Sequence, residues 1–505
     1  MKTLFLLFDS LNRTALSCYG GDIKTPNFER LSAKSTLFER HYIGSMPCMP
    51  ARRDMHTGRL NFFHRSWGPL EPFDNSFVLN LRENGIYTHL TSDHNHYFED
   101  GGATYHNRYN TYDFIRGQES DPWIAMVKPP MEKFREKYHS KQFGAERAPM
   151  RVQGMINETI LKTKKDFPLH KCFDAALNFL ELNWNEQNWF LQLECFDPHE
   201  PFSAPTEFRS NCDSSYIGPE YTWPQYRETT DDTEAEIQEV RANYAALVRF
   251  CDEQLGRIID FLDKKNMWEE TTIILTTDHG FMLGEQEWWG KLRMPFFNEI
   301  ANIPLLIHDP NDRASWGRRE NSLTQTTDLS ATILDIYDLS PCEYSTGTSI
   351  LKLIRGEKSS IRDIALYGVF GGALNVTDGR YTYFLYPLEK NKQSLFEYTL
   401  MPMHSTSLFT IKELEHAELF RGFNFTKGSP VLKIPALDDA KRPPMQGGGF
   451  ADTNTRFYDL SIDPRQEVPQ YNRSIEKYFN KLITDELIRH EAPQEIYSIY
   501  GLDDI

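Results

Sequence analysis

Short apolar runs alternate with amphipathic stretches along most of this chain. Thr3–Phe8 is continuously apolar and stops at Asp9-Ser10, the pattern of a strand buried on both faces of a parallel sheet. Thr25 then offers a cap and Pro26 a first helical position, so Pro26–Lys34 reads as a short amphipathic helix. Cys48 to Arg59 reads as helical after Pro50, which sets the Cys48 side chain at a helix N-terminus, where the backbone dipole favours an anion. Phe77–Asn84 and His170–Asn183 read as helices, and each leads into an apolar strand, Tyr87–Thr91 and Trp189–Glu194. Glu234–Lys264 is one long amphipathic pattern, followed by the β-branched strand Thr272–Thr277, the short strand Pro304–Ile307 and the helix Thr327–Tyr337. This alternation predicts an α/β fold with a mainly parallel central sheet sandwiched by helices.

Polar residues fall at particular places in that pattern. Asp9, Asp93-His94, His199 and Asp278-His279 each follow the C-terminal end of an expected strand, the edge at which open α/β sheets bind ligands. Residues 117–165 are charged, contain Pro129-Pro130 and show weak periodicity. They read as an insertion of loops and short helices lining the substrate entrance. Beyond about residue 370 the character changes: Tyr381–Tyr386 is aromatic and β-branched, and Pro443–Gly449 is loop-like. The expected division is a catalytic α/β domain over 1–370 and a smaller α+β domain over 371–505.

Composition narrows the chemistry. A net charge of −17 argues against nucleic acid or an anionic membrane as partner, since phosphate backbones are held by clustered cations. It leaves room for a small anionic substrate, which senses the field of one cleft. The N-terminal apolar run ends at Asp9 with no small-residue cleavage site behind it, so it reads as a strand rather than a signal peptide. No stretch approaches the ~20 apolar residues that span a bilayer. The seven cysteines (18, 48, 172, 195, 212, 251, 342) are odd in number and lack a paired CxxC. That suits a reducing, cytoplasmic address better than a disulfide framework. Oligomeric state is left open, a homo-oligomer included.

The segment around Cys48 carries the strongest chemical signal. It places Pro50 two residues and Arg52 four residues after the cysteine, then Thr57-Gly58. This resembles the sulfatase signature, Cys-x-Pro-x-Arg followed by Thr-Gly, whose cysteine becomes formylglycine after translation. Phe8-Asp9, Cys18-Tyr19-Gly20-Gly21 and Lys24-Thr25-Pro26-Asn27 fit the start of the same pattern. Thr277-Asp278-His279-Gly280, Leu283-Gly284-Glu285, Trp289-Gly290-Lys291 and Phe457-Tyr458-Asp459-Leu460 with Asp463-Pro464 continue it in order. The resemblance, to the sulfatase and phosphonate monoester hydrolase family of the alkaline-phosphatase-like superfamily, covers nearly the whole chain.

The resemblance implies a sulfuric ester hydrolase acting on a small sulfated sugar or metabolite. Its nucleophile would be the aldehyde hydrate made from Cys48 by a formylglycine-generating maturation enzyme. One divalent metal is implied, held by Asp9, Cys48, Asp278 and His279. Oxygen ligands suit Ca²⁺ or Mg²⁺ and the histidine shifts preference toward Mn²⁺ or Zn²⁺, so Ca²⁺ or Mn²⁺ is expected first. Arg52 would hold the hydrate, and His199 and Lys291 would face the ester oxygens as acid and cation. Ser92-Asp93-His94-Asn95-His96 stands where many sulfatases have Gly-Lys-x-His, so His94 replaces the lysine and His96 matches the histidine. Ser10 stands in place of a second acid, and His279 in place of the asparagine of many sulfatases. The Asp-His pair is shared with phosphonate and phosphodiester hydrolases, which makes such a hydrolase the alternative activity. A non-catalytic anion-binding protein is the third reading. Trp288-Trp289 reads either as a sugar-stacking wall or as a core aromatic pair.

Overall fold

The computed structural model describes residues 1–144, 148–209, 216–292, 295–389, 394–436 and 454–503. Pro443–Gly449 and Cys212 lie outside the described residues. The large sheet is built from β1 (Lys2–Phe8), β2 (Thr36–Tyr42), β3 (Tyr87–Ser92), β4 (Thr111–Phe114), β5 (Trp189–Cys195) and β6 (Thr271–Thr276). It is completed by β7 (Asn302–His308) and the two-residue β8 (Arg319–Glu320) and β9 (Thr324–Gln325). The order is β8-β2-β7-β6-β1-β5-β3-β4, with β9 also paired to β2. All pairings are parallel except those of β7, which runs antiparallel to β2 and β6.

Strand β1 shows why its run is unbroken. Leu4, Leu6 and Phe8 enter one core and Phe5 and Leu7 the other, the period-2 alternation of a strand covered on both sides. Each such side chain contributes roughly 1.5–3 kcal/mol by leaving water. The first core is closed by α1 (Pro26–Ser32), α4 (Pro168–Asn183) and α5 (Glu234–Lys265). The second is closed by α2 (Cys48–Thr57), α3 (Phe77–Glu83) and α6 (Asp328–Ile336). Helix α5 is held at its start by a reciprocal capping box between Thr233 and Glu236, and ends at Asn266 in the left-handed region (φ 54°).

Helix α2 begins at Cys48 itself, not after Pro50. Pro50 is tolerated there because the first-turn N–H groups have no partner inside the helix. In the C-terminal region seven strands follow: β10 (Ala365–Gly368), β11 (Leu374–Thr377), β12 (Tyr381–Leu385), β13 (Phe396–Thr399), β14 (Glu418–Phe420), β15 (Val431–Pro435) and β16 (Arg456–Asp459). They form antiparallel sheets ordered β10-β11-β12-β16 and β13-β15-β14. Helix α7 (Arg473–Arg489) packs Phe479, Ile483 and Leu487 against the four-stranded sheet.

Candidate active site

Strands β6, β1, β5 and β3 are consecutive and parallel, so the residues after them share one edge of the sheet. The N-terminus of α2 brings Cys48 to the same edge. One ligand atom each from Asp9, Cys48, Asp278 and His279 lies within 4.8 Å of the others, and all four residues are buried. Cys48 Sγ is 3.3 Å from His279 Nε2 and accepts from Lys291 Nζ at 3.2 Å. His279 Nδ1 donates to the Gly280 carbonyl at 3.0 Å, which leaves the Nε2 lone pair facing the cluster, as a metal-ligating imidazole requires.

The neighbouring backbone orients the carboxylates. The chain turns sharply at Ser10, a non-glycine in the left-handed region (φ 59°). That turn lets Ser10 N–H donate to Asp278 Oδ1 at 3.1 Å and Ser10 Oγ to Asp9 Oδ1 at 2.9 Å. Burial would raise the Asp9 pKa, but Arg52, with His199, His94 and Lys291, holds it well below the usual carboxylate range. Burial, reinforced by Asp9 and Asp278, pushes the Cys48 thiol well above its usual value. Burial thus disfavours the thiolate, the nucleophilic form, at an unmodified Cys48.

Arg52 is fully buried and holds no free charge for solvent. It donates to the Cys48 carbonyl at 3.0 Å, to Asp9 Oδ2 at 2.9 Å, to Glu194 Oε1 at 2.9 Å and to Asp278 Oδ2. Its contacts thus run to the backbone of residue 48 and to three carboxylates. Lys291 Nζ also meets His199 Nε2. His199 Nδ1 donates to the Glu200 carbonyl at 2.6 Å, which turns Nε2 toward Lys291. Burial opposes a charged Lys291, yet Cys48, Tyr226, Glu200 and Asp9 raise its pKa well above the ordinary value.

His94 and His96 flank the cluster differently. His94 Nε2 is 3.4 Å from Asp9 Oδ2, and burial, then Arg52, keeps the ring neutral by lowering its pKa well below 6.5. His96 Nδ1 donates to Glu99 Oε2 at 2.6 Å and its Nε2 is 3.7 Å from Glu119 Oε2. Burial disfavours its charge, but Glu99 and Glu119 outweigh that and raise its pKa. Gln118, also from the insertion, donates to Asp93 Oδ2 at 3.2 Å. All nine candidate site residues therefore gather at this edge or on its rim.

The structure decides between the two readings of Trp288-Trp289. Trp289 is fully buried and donates to Asp232 Oδ2 at 2.8 Å, while Trp288 packs in a core with Tyr42 and Phe296. Both rings are buried, in two different cores, so the pair is core and not a sugar-stacking wall. Glu194 and Glu200 were not singled out, although both are buried at the site. The six described cysteines are all free and buried, and no helix among the described residues is long and apolar enough to cross a membrane.

A helix-sandwiched, mainly parallel sheet with charged residues gathered at its carboxyl edge is an α/β fold with its candidate site where such sheets bind ligands. Residues 2–339 match the family model described as Sulfatase. A choline-sulfatase of Rhizobium meliloti (strain 1021) is 24% identical over 442 residues, 80% of this chain and 81% of that one. The multifunctional alkaline phosphatase superfamily protein PehA of Trinickia caryophylli is 26% identical over 393 residues, 67% of this chain and 73% of its own. The solved phosphonate monoester hydrolase of Agrobacterium radiobacter superposes with a TM-score of 0.64 at 18% identity, covering 97% of this chain and 96% of that one. The chain belongs to the sulfatase family and is a hydrolase of the sulfuric ester class.

Proposed function

We propose that the protein hydrolyses a small organic sulfate ester at the site built on Cys48, with one divalent metal held by Asp9, Asp278, His279 and the matured Cys48. The observation that carries this reading is the position of Cys48 Sγ. It sits within hydrogen-bond reach of both His279 Nε2 and Lys291 Nζ, inside a closed set of four donor groups. The set fits a metal: the carboxylates of Asp9, Asp278, Glu194 and Glu200 are all buried, against the buried cations Arg52 and Lys291. Such a surplus of buried negative charge calls for a cation. Two carboxylates with one imidazole suit Mn²⁺ or Ca²⁺, with Mg²⁺ or Zn²⁺ as alternatives. Bound there, the metal would supply Lewis-acid polarisation, and formylglycine a hydrate nucleophile in place of the inert thiol.

The chain's own residues supply the rest. Lys291 reaches the side chain of residue 48 and Arg52 its carbonyl, placing positive charge where a sulfuryl group gains charge in the transition state. His199 and Lys291 share a proton across Nε2 and Nζ, and this pair delivers it to the leaving oxygen. Glu200 fixes the His199 tautomer through its carbonyl, and its carboxylate accepts from Tyr226 Oη at 2.5 Å. His94 offers ring nitrogens beside Asp9 to the sulfuryl oxygens, and His96 adds a carboxylate-flanked cation at the rim.

A second reading has two observations in its favour: His279, not an asparagine, stands in the donor set, and Ser10 contributes no second acid. Phosphonate monoesters or phosphate diesters would then be the preferred substrates. A panel of matched aryl and sugar sulfates, phosphate diesters and phosphonates on matured, metal-loaded protein tests both. The sulfate reading expects the highest kcat/KM on a sulfate ester; a higher value on a phosphonate or diester replaces it with the second.

A further inference from the structure

Strand β5 carries an anomaly. It reads Trp189-Phe190-Leu191-Gln192-Leu193-Glu194-Cys195 and is buried throughout. Leu191, Leu193 and Cys195 enter one core, and Phe190 the other. By alternation Gln192 and Glu194 share the Phe190 face, where an apolar pair would be expected. Burying a carboxylate there is costly unless it is fully paired.

It is fully paired. Glu194 Oε1 accepts from Arg52 Nε at 2.9 Å, and Oε2 accepts from Tyr97 Oη and from Gln192 Nε2, each at 2.8 Å. Gln192 is fixed in turn by Tyr109 Oη, which donates to its Oε1 at 2.7 Å. A buried relay, Tyr109 to Gln192 to Glu194, therefore ends on the guanidinium that also contacts Asp9, Asp278 and the Cys48 carbonyl. Arg52 is a planar fork with a fixed donor geometry. With its Nε anchored on β5, its Nη1 reaches the Cys48 carbonyl and Asp278, and its Nη2 reaches Asp9.

We propose that Glu194 is a positioning residue: it fixes the orientation of Arg52 and shares its charge, so that Arg52 does not monopolise the oxygens of Asp9 and Asp278. This rests on the reading that Arg52 serves the reacting group. Without Glu194, Arg52 leans wholly on those two carboxylates and competes with a metal for their lone pairs.

The test is Glu194→Gln, which keeps shape and removes the charge, in matured protein. The expected result is a kcat lowered at least tenfold with KM changed less than threefold. The affinity for Mn²⁺ alone, titrated by calorimetry, should weaken at least fivefold, and Glu194→Asp should recover part of both. Tyr97→Phe, which removes one donor to Glu194 and leaves its packing, should lower kcat about threefold and serves if Glu194→Gln does not fold. A kcat within twofold of the parent in Glu194→Gln overturns the proposal, as does an unchanged Tyr97→Phe when the former does not fold. Arg52→Lys separates the two levels. If it abolishes turnover while Glu194→Gln is unaffected, the relay has no role; if it too is unaffected, the role given to Arg52 is wrong.

Discussion

The sharpest test of the proposed chemistry is the replacement of His199 by asparagine. Its Nδ1–H donates to the Glu200 carbonyl at 2.6 Å, a bond that an asparagine Nδ2 can reproduce, whereas Nε2 has no counterpart in the shorter side chain. His199→Asn thus removes the atom facing Lys291 and keeps the anchor. General acid catalysis contributes about 10²–10⁴-fold, or about 2.7–5.4 kcal/mol at 1.36 kcal/mol per decade. His199→Ala carries an added cost of about 1–3 kcal/mol in stability, because the Glu200 carbonyl loses its buried donor. The assay is kcat on 4-nitrophenyl sulfate against an alkyl sulfate of similar size. A nitrophenolate leaves without help, so its rate should fall little, while the alkyl ester should lose about 10²-fold or more. Equal losses on the two esters would refute the acid role and transfer it to Lys291 or His96.

Three further outcomes are expected. Mass spectrometry of the Cys48 peptide from protein made beside a maturation enzyme should show the aldehyde or its hydrate, and Cys48→Ser should lose nearly all turnover; full activity with only the thiol would sink the mechanism. Asp278→Asn should lower both divalent-metal occupancy, read by elemental analysis, and rate; full occupancy and rate would remove it from the ligand set. Burial, then Arg362, lowers the His41 pKa to about 3, below the 6.5 it regains on unfolding. The stability from its neutral form is present above pH 6.5 and is lost as pH falls toward 3, about 2 kcal/mol between pH 7 and 5. Urea unfolding at both pH values should show this loss shrinking by that amount in His41→Asn, which can keep the bond to Thr324 Oγ1; an unaltered pH dependence would contradict it.

The elements that sequence made legible are those whose pattern and burial agree. β1 is apolar from Leu4 to Phe8 and β6 is β-branched and buried because helices cover both faces, and their polar ends form the candidate site. β2 was illegible because Glu39 and Arg40 interrupt its run, at the point where its pairing with β7 shifts register between Phe38 and His41. β4 is an exposed edge strand, so nothing requires it to look apolar. The motif around Cys48, the Asp-His-Gly turn and the Asp9 that ends β1 pointed to the four groups that the structure brings within 4.8 Å of one another. Glu194 left a signal as well, since Gln192 and Glu194 are polar positions inside a run buried on both faces, but a terminal glutamate reads equally as the strand's end. Only its partner across space, Arg52, separated by 142 positions along the chain, tells the two apart.

The neighbours in the sheet, β6, β1, β5 and β3, are far apart in the chain, and so are the groups they deliver, from Asp9 to Lys291. None of this constellation is a local unit. Such wide loop closures are slow to form and unrewarded until the strands between them pair. The nascent chain must extend past residue 291 before all the acids, imidazoles and cations can meet. Until β6 docks on β1, Asp9 and Arg52 lack Asp278, and Cys48 lacks both His279 and Lys291. Competence is therefore a late, collective acquisition of the folding chain, and no fragment ending before β6 can hold the complete site.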